Sequence, residues 1–293
     1  MNMIFDIEND YLKVSVSERG AELQSIICKK NGKEYLWQGL EQYWTGRAYN
    51  MFPICCRLTE ERYTYKGNTY EMNIHGFVRG VQLKGERISD TELIFTLYPS
   101  EAVKSQYPFD FVYTVRYTLD GNTLKTEYGV TNTGKDVMYF AVGGHPGFNV
   151  PLCEDETFDD YYLEFDDEKP IKRYIYTPHY YTGKTEAYPL KNGKIIELYH
   201  GMFDNDGIFF FDMSEGVTLK SKKSNVYVRL DYKGFRNLGI WHKPKTDAPY
   251  ICIEPCTSIP AYEGKIDDLE TKEQMEKLKA GERYDASFSI TIG

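Results

Sequence analysis

Two histidines in glycine-rich segments are placed where an imidazole could act on a ligand. His145 stands in "GGHPGFNV", between a pair of glycines and a proline, and His75 stands in "NIHGFVRG", directly before a glycine. Glycine permits a close approach of the backbone, and a proline favours an extended conformation in the residue before it. The sequence therefore predicts that His145 is presented at the end of a strand. A hydrogen-bonded core histidine remains the simpler interpretation of each residue taken alone.

A glutamate closes the largely apolar, strand-like segment "APYICIEPCTS". Strand alternation places Tyr250, Cys252 and Glu254 on one face and Ile251 and Ile253 on the other. Burial raises the pKa of a carboxyl group, and a nearby imidazolium or guanidinium lowers it, so this position can be tuned for proton abstraction. A buried salt bridge is the alternative interpretation of Glu254.

The other histidines and the cysteines are not expected to do chemistry. His179, His200 and His242 stand in polar, turn or loop segments, and we predict structural or solvent-facing roles for them. The chain has no CxxC pair, and six cysteines are too few for a disulfide scaffold at this length. We predict reduced thiols, packed as small apolar side chains, at Cys28, Cys55, Cys56, Cys153, Cys252 and Cys256.

Composition and charge exclude several classes of protein. The 293 residues are 41% hydrophobic and 27% charged, which is typical of a globular protein. A net charge of −9 argues against a nucleic-acid-binding protein, which normally has a basic face. The first residues lack the features of a signal peptide, and no later segment has the run of about 18 apolar residues that a membrane helix needs. We therefore predict a cytoplasmic protein with neither nucleic acid nor membrane as a partner.

Short runs of β-branched and aromatic residues that alternate with polar ones dominate the chain. Residues 62–72 and 111–134 are predicted to form hairpins, because the dipeptides at 67–68 and 120–121 supply the positive φ of tight turns. Residues 217–232 and the last ten residues show the same alternation. The pattern predicts an all-β protein.

One segment has the composition of a helix. Residues 268–282, "DLETKEQMEKLKAGE", are predicted to be helical, with Leu269, Met275 and Leu278 as core contacts and Gly281 as the stop.

No linker, charge block or repeat divides the chain. The sequence therefore predicts a single domain over residues 1–293, built from large stacked antiparallel sheets with little helix. Sheets hold the side chains at strand ends rigidly, so a site can be assembled from residues that are distant in sequence.

Five motifs in order, "RLTE", "IHGFVRG", "GGHPGFNV", "FDNDGIFF" and "YICIEP", resemble those of the aldose 1-epimerase (mutarotase) family, and its LacX-like branch most closely. The resemblance extends from "SERGAELQSI" to "AGERYDASFSITI". It implies a β-supersandwich fold, a small-molecule sugar as the partner, and no cofactor or metal.

The resemblance also implies roles for individual residues. Glu254 matches the general base that acts on the anomeric hydroxyl, and His145 matches the histidine that protonates the ring oxygen. His75 matches a second histidine that contacts the substrate, while Arg57 and Asp206 match residues that bind sugar hydroxyls.

Two details of the match leave alternatives open. Asp204 lies two residues from Asp206 on the same face, so either could be the acidic contact. Cys56 stands where the family usually has glycine, directly before Arg57, which could shift that arginine.

The chemistry of the family requires an acid and a base. Interconversion of anomers removes a proton from the C1 hydroxyl and delivers one to the ring oxygen, so that the pyranose opens to an aldehyde and recloses after rotation about C1–C2. Each proton transfer contributes about 10²–10⁴-fold when the side-chain pKa lies near neutral pH. We therefore expect His145 to be held in its charged form.

The sequence also offers candidates for a phosphate-binding corner and for the aromatic wall of the site. Arg79, four residues after His75, could form a cationic corner with Arg57 that accepts a 6-phosphate, as in hexose-6-phosphate 1-epimerases. Two arginines are few for a phosphate dianion, so the sequence favours a neutral sugar. The candidates for an aromatic wall are Trp37, Trp44, Phe77, Phe148 and Trp241.

Two other functions stay open at this point. His75, His145 and Glu254 form a His₂Glu set of the kind that binds zinc, although neither HxH nor HExxH spacing supports it. The same pocket could also belong to a non-catalytic protein that binds or senses a carbohydrate.

Overall fold

The structure, a computed structural model, describes residues 3–293. Its strands are β1 (Ile4–Glu8), β2 (Leu12–Ser17), β3 (Leu23–Cys28), β4 (Ala48–Met51), β5 (Arg62–Tyr65), β6 (Asn68–Glu71), β7 (Lys84–Ser89), β8 (Glu92–Leu97), β9 (Phe111–Asp120), β10 (Thr123–Asn132), β11 (Met138–Phe140), β12 (Gly143–Asn149), β13 (Tyr161–Phe165), β14 (Ile171–Tyr176), β15 (Tyr181–Tyr188), β16 (Ile195–Glu197), β17 (Ile208–Phe211), β18 (Gly216–Ser221), β19 (Tyr227–Asp231), β20 (Asn237–Trp241), β21 (Tyr250–Cys256), β22 (Asp267–Asp268), β23 (Glu276–Leu278) and β24 (Arg283–Ile292). Helical structure in the described residues is limited to α1 (Glu101–Lys104) and to 3-10 turns at Thr59–Glu61, Val78–Gly80, Phe158–Asp160 and His200–Phe203.

Two large antiparallel sheets face each other. One has the strand order β16-β13-β18-β19-β24-β10-β9-β8-β7, and the other has the order β15-β14-β17-β20-β21-β12-β4. The Tyr128 hydroxyl of β10 donates to the Asn50 side chain of β4 over 2.8 Å, and the Phe288 ring of β24 lies against Gly144 of β12. The predicted all-β fold of stacked antiparallel sheets with little helix is confirmed.

The two predicted hairpins are present, but their turns lie one residue away from the predicted positions. In the first hairpin Tyr65 pairs with Asn68, so the turn is Lys66-Gly67, with φ of 47° and 77°. In the second hairpin Asp120 pairs with Thr123 across Gly121 and the residue after it. Two-residue loops close both ladders without a gap in the register.

The predicted helix at residues 268–282 is wrong. The segment contains the end of β22 and all of β23, whose residue Leu278 pairs with Met138 of β11. The Asp268 carboxylate accepts the Glu270 backbone N–H over 2.8 Å, and Gln274 has a φ of 59°, so the backbone leaves the helical conformation twice. Packing of the predicted apolar contacts against the sheets overrides the helical propensity of the segment.

One cluster of buried apolar side chains extends from Ile7 to Ile292 and favours the single domain that the sequence predicts. Five of the six cysteines are buried and Cys153 is half-buried, in line with their predicted packing. Within residues 3–293 no helix is long and apolar enough to span a membrane.

Candidate functional site

The register of two neighbouring strands brings His145 and Glu254 together. In the antiparallel pair formed by β12 and β21, Gly147 lies opposite Cys252. Two residues further along, the same register places His145 opposite Glu254, on one face of the sheet. His145 Nε2 lies 3.3 Å from Glu254 Oε1. The predicted acid and base are therefore a cross-strand pair.

The row of cross-strand neighbours continues on both sides of this pair. Tyr49 of β4 lies opposite His145, and Gly239 of β20 lies opposite Glu254 and is followed by Phe209 of β17. A Cβ atom on Gly239 would lie 2.8 Å from the Phe209 ring and 3.3 Å from the Cβ of Glu254. The glycine leaves the room that the aromatic ring and the carboxylate side chain occupy.

His75 is oriented by two contacts with Cys56. Its backbone N–H donates to the Cys56 carbonyl over 2.9 Å, and its Nδ1 accepts the Cys56 N–H over 3.1 Å. Both residues have a positive φ, and at the following Gly76 a Cβ would lie 2.1 Å from the Phe52 carbonyl oxygen. Because Nδ1 accepts a hydrogen bond, the proton of the neutral ring is on Nε2. His75 is therefore a fixed hydrogen-bond donor beside His145, at a ring distance of 5.1 Å.

These side chains form the wall of a cavity of about 250 Å³. The cavity brings together all six residues that the sequence singles out for the site, namely Glu254, His145, His75, Arg57, Asp206 and Arg79. Of the two candidate aspartates, the wall contains Asp206 and not Asp204, which follows the 3-10 turn at His200–Phe203.

Asp206 is held against the aromatic part of the wall. Its Oδ1 accepts the indole N–H of Trp241 over 2.9 Å, and its Oδ2 lies 3.9 Å from His179 Nδ1. His179 is 58% exposed, in line with its predicted solvent-facing role, but its contact with Asp206 was not predicted. The turn that joins β14 to β15 places this histidine at the cavity. Sequence alone contains no signal for the contact, because it depends on how a hairpin lies over a distant strand.

The aromatic wall differs in part from the prediction. Trp44 and Trp241 line the cavity, and Trp44 lies 4.9 Å from the His145 ring. Trp37, Phe77 and Phe148 are buried outside that wall. Three aromatic residues of the wall were not predicted from the sequence, namely Tyr49, Tyr176 and Phe209.

Burial dominates the protonation of the central pair. Glu254 is 2% exposed, and its pKa is raised well above the usual value by desolvation and then by the nearby Asp206. Desolvation also lowers the pKa of His145 to about 3. The expectation that His145 is held in its charged form is therefore wrong for the resting site, because burial favours the neutral form of both groups.

The two cavity arginines, Arg57 and Arg79, form no ion pair with the described residues. The Arg79 guanidinium lies over the Tyr49 ring, 5.3 Å from its centre. Throughout residues 3–293, neither Arg57 nor Arg79 forms a salt bridge or donates a side-chain hydrogen bond. Both groups are therefore available to hydroxyl or anionic groups of a ligand.

The potential metal ligands differ from the His₂Glu set that the sequence suggests. Among the described residues, His145, Cys252 and Glu254 are the group whose ligand atoms all lie within 4.8 Å of one another. His75 is not part of this group, and its Nδ1 accepts the Cys56 N–H.

Comparisons with known proteins show which family this chain belongs to. The sequence profile of the aldose 1-epimerase family matches residues 3–291. The chromosomal protein LacX of Lactococcus lactis subsp. lactis is 34% identical over an alignment that covers 99% of each chain. A galactose mutarotase related enzyme from Lactobacillus acidophilus is 32% identical, with a TM-score of 0.94 over 99% of this chain and 97% of that one. A galactose mutarotase-like protein from Lactobacillus casei is 31% identical, with the same TM-score over 99% and 100% of the two chains.

Proposed function

Because the chain belongs to the aldose 1-epimerase family, we propose that it interconverts the α and β anomers of a neutral hexose in this cavity. The observation that carries the proposal is the buried pair of His145 Nε2 and Glu254 Oε1, 3.3 Å apart in a cavity of sugar size. A base and an acid must flank the anomeric centre, and this pair supplies both.

The reaction moves two protons. The Glu254 carboxylate takes the proton of the C1 hydroxyl while the His145 imidazolium gives a proton to the ring oxygen, so the C1–O5 bond breaks and an aldehyde forms. After rotation about C1–C2, the ring closes onto the other face of the carbonyl group. Glu254 then returns its proton to the C1 oxygen, and His145 recovers the proton of the C5 hydroxyl. The cycle restores both side chains.

The resting pair holds one proton, which burial places on Glu254 rather than on His145. Transfer of that proton from Oε1 to Nε2 produces the carboxylate and the imidazolium together. The two groups are in direct contact, so a substrate that excludes water and offers a hydroxyl to the carboxylate can drive the transfer.

The other wall residues position the sugar. His75 donates through Nε2, Arg57 donates through its guanidinium group, and Asp206 accepts, which suits the mixed hydroxyl pattern of a hexose. Trp44 and Trp241 offer faces for the apolar side of the ring.

The proposal is tested by exchange NMR on the anomers of free hexoses and pentoses, with purified protein in the presence of EDTA. We expect faster exchange for at least one hexose, because the proton transfers need no metal. A protein that binds sugars but leaves their exchange at the spontaneous rate would be a carbohydrate-binding relative rather than an enzyme.

The protonation states of His145 and Glu254 predict an unusual dependence of the rate on pH. Since the pKa of His145 is lowered to about 3, kcat/KM should stay nearly constant between roughly pH 5 and 7, where an ordinary imidazole titrates. The acidic limb reflects uptake of a second proton by the pair, and the alkaline limb reflects loss of its only proton. The measurement is the exchange rate corrected for the spontaneous reaction at each pH. A tenfold change centred near the usual histidine pKa would contradict this assignment.

The unpaired guanidinium groups favour a second candidate substrate, a hexose 6-phosphate. We nevertheless expect glucose 6-phosphate to exchange no faster than glucose, because Arg79 is stacked on Tyr49 and a dianion usually needs several donors. Arg79→Ala should then affect both substrates equally, with Arg79→Lys as the charge-preserving control. Faster exchange of the phosphate, lost in Arg79→Ala and kept in Arg79→Lys, would establish the phosphorylated sugar instead.

A further inference from the structure

Cys252 lies beside the proposed acid–base pair and has no role in the proposed proton transfers. It is fully buried and lies on the same face of β21 as Glu254, two residues away. Its cross-strand partner is Gly147, and the Trp37 and Trp44 side chains pack over that glycine. The cavity wall includes His145 and Glu254 but not Cys252, whose thiol is a third potential ligand next to the pair.

We propose that His145, Cys252 and Glu254 form a binding site for a thiophilic divalent cation such as Zn²⁺ or Cd²⁺, which inhibits the enzyme by occupying its acid and its base. The three ligand atoms all lie within 4.8 Å of one another. Ligands at the usual zinc bond lengths, about 2.0–2.3 Å, are separated by about 3.3–3.8 Å around a tetrahedral ion. The 3.3 Å between Nε2 and Oε1 already meets this requirement, and the widest pair must close by about 1 Å.

The types of ligand select the class of ion. A thiolate and an imidazole favour zinc-like ions over the hard cations Mg²⁺ and Ca²⁺, which prefer oxygen ligands. Because His145 and Glu254 line the cavity, a water molecule from the cavity can supply the fourth ligand of a tetrahedron.

Charge balance also fits a divalent ion. On binding, the Cys252 thiol and the resting pair each release one proton to solvent, and the resulting thiolate and carboxylate neutralise the two positive charges. A neutral complex is favoured in a site from which water is excluded.

Inhibition follows from the same contacts and rests on the proposed function. A metal-bound imidazole nitrogen cannot donate a proton, and a metal-bound carboxylate is a weaker base. The site thus predicts an enzyme that needs no added metal and loses activity when zinc is added. EDTA should restore the activity.

The experiment combines two measurements on the intact protein. Titration with Cd²⁺ follows the thiolate-to-cadmium charge-transfer absorption, and titration with Zn²⁺ follows the rate of anomer exchange. We expect Cys252→Ala to retain exchange, to lose the cadmium band, and to require at least about tenfold more zinc for half-inhibition. Cys256→Ala is the matched control, because it removes another buried thiol of β21 and should keep the response of the wild type.

Two further variants keep the test decisive. Cys252→Ser replaces the alanine variant if that protein does not fold. It preserves the size of the side chain and should also lower the affinity for cadmium. Glu254→Gln should weaken the cadmium band, a readout that does not depend on activity. A band and a zinc sensitivity that persist in Cys252→Ala or Cys252→Ser would overturn the site, as would the absence of a band in the wild type. A wild-type protein with the band and without exchange would instead refute the proposed function alone.

Discussion

Glu254→Gln should lower kcat by about 10²-fold or more while KM changes little. The amide keeps the shape of the carboxyl group but cannot take the proton of the C1 hydroxyl. The substitution also removes the proton that Glu254 passes to His145. The decrease in kcat therefore reflects the loss of the base and the loss of the proton that the acid delivers. The measurement is the exchange rate as a function of sugar concentration. The thermal midpoint should not fall, because burial disfavours the charged form of the residue that is replaced.

Arg57→Ala is the contrasting variant. Its guanidinium group lies in the same cavity, but the hydroxyls that it is proposed to bind do not react, so its loss should mainly raise KM. Near-wild-type exchange in a folded Glu254→Gln protein would remove Glu254 from the mechanism. Asp206, on the same wall, would then be the next carboxylate to test.

His145→Asn should cause a loss of comparable size, again in kcat more than in affinity. Asparagine keeps a polar side chain opposite Glu254 but cannot transfer a proton to the ring oxygen. In the double variant with Glu254→Gln, the loss should be far smaller than the product of the two single losses, since neither proton transfer is productive without the other. The three variants are compared by exchange NMR against the spontaneous rate.

Multiplicative losses in the double variant would show that the two residues act independently, which the 3.3 Å contact argues against. His242→Asn is a useful control. His242 is equally buried but lies outside the cavity, in contact with His200, so its replacement should leave kcat unchanged in folded protein.

The parts of the fold that follow from local pattern were predictable. The alternation in residues 250–254 places Ile251 and Ile253 in the main core and Tyr250 and Cys252 in a second cluster, as predicted. The family resemblance drawn from five motifs is confirmed by the match over residues 3–291. Both features can be recognised in the sequence itself. The strand shows a repeat of two residues, and the family shows an ordered set of short motifs.

The parts that depend on distant contacts were not predictable. Residues 268–282 have helical composition, but the pairing of Leu278 with Met138 decides their conformation. His179 and Tyr176 reach the cavity only because the β14–β15 hairpin lies beside β17 in the sheet. The lowered pKa of His145 is a further case, since it arises from desolvation by residues that no local motif identifies.

The position of the acid–base pair within one row of a central sheet also affects how the protein tolerates sequence change. Insertion or deletion of one residue in β21 before Glu254 would turn the carboxylate towards the core and an isoleucine towards the cavity. The same event would place apolar side chains against the polar cavity and a carboxyl group among apolar side chains, so the catalytic geometry and the stability of the sheet would be lost together. Variants with a residue inserted into or deleted from β12 or β21 should therefore fail to fold. Changes of function in this cavity then have to arise by substitution, with the length of both strands unchanged.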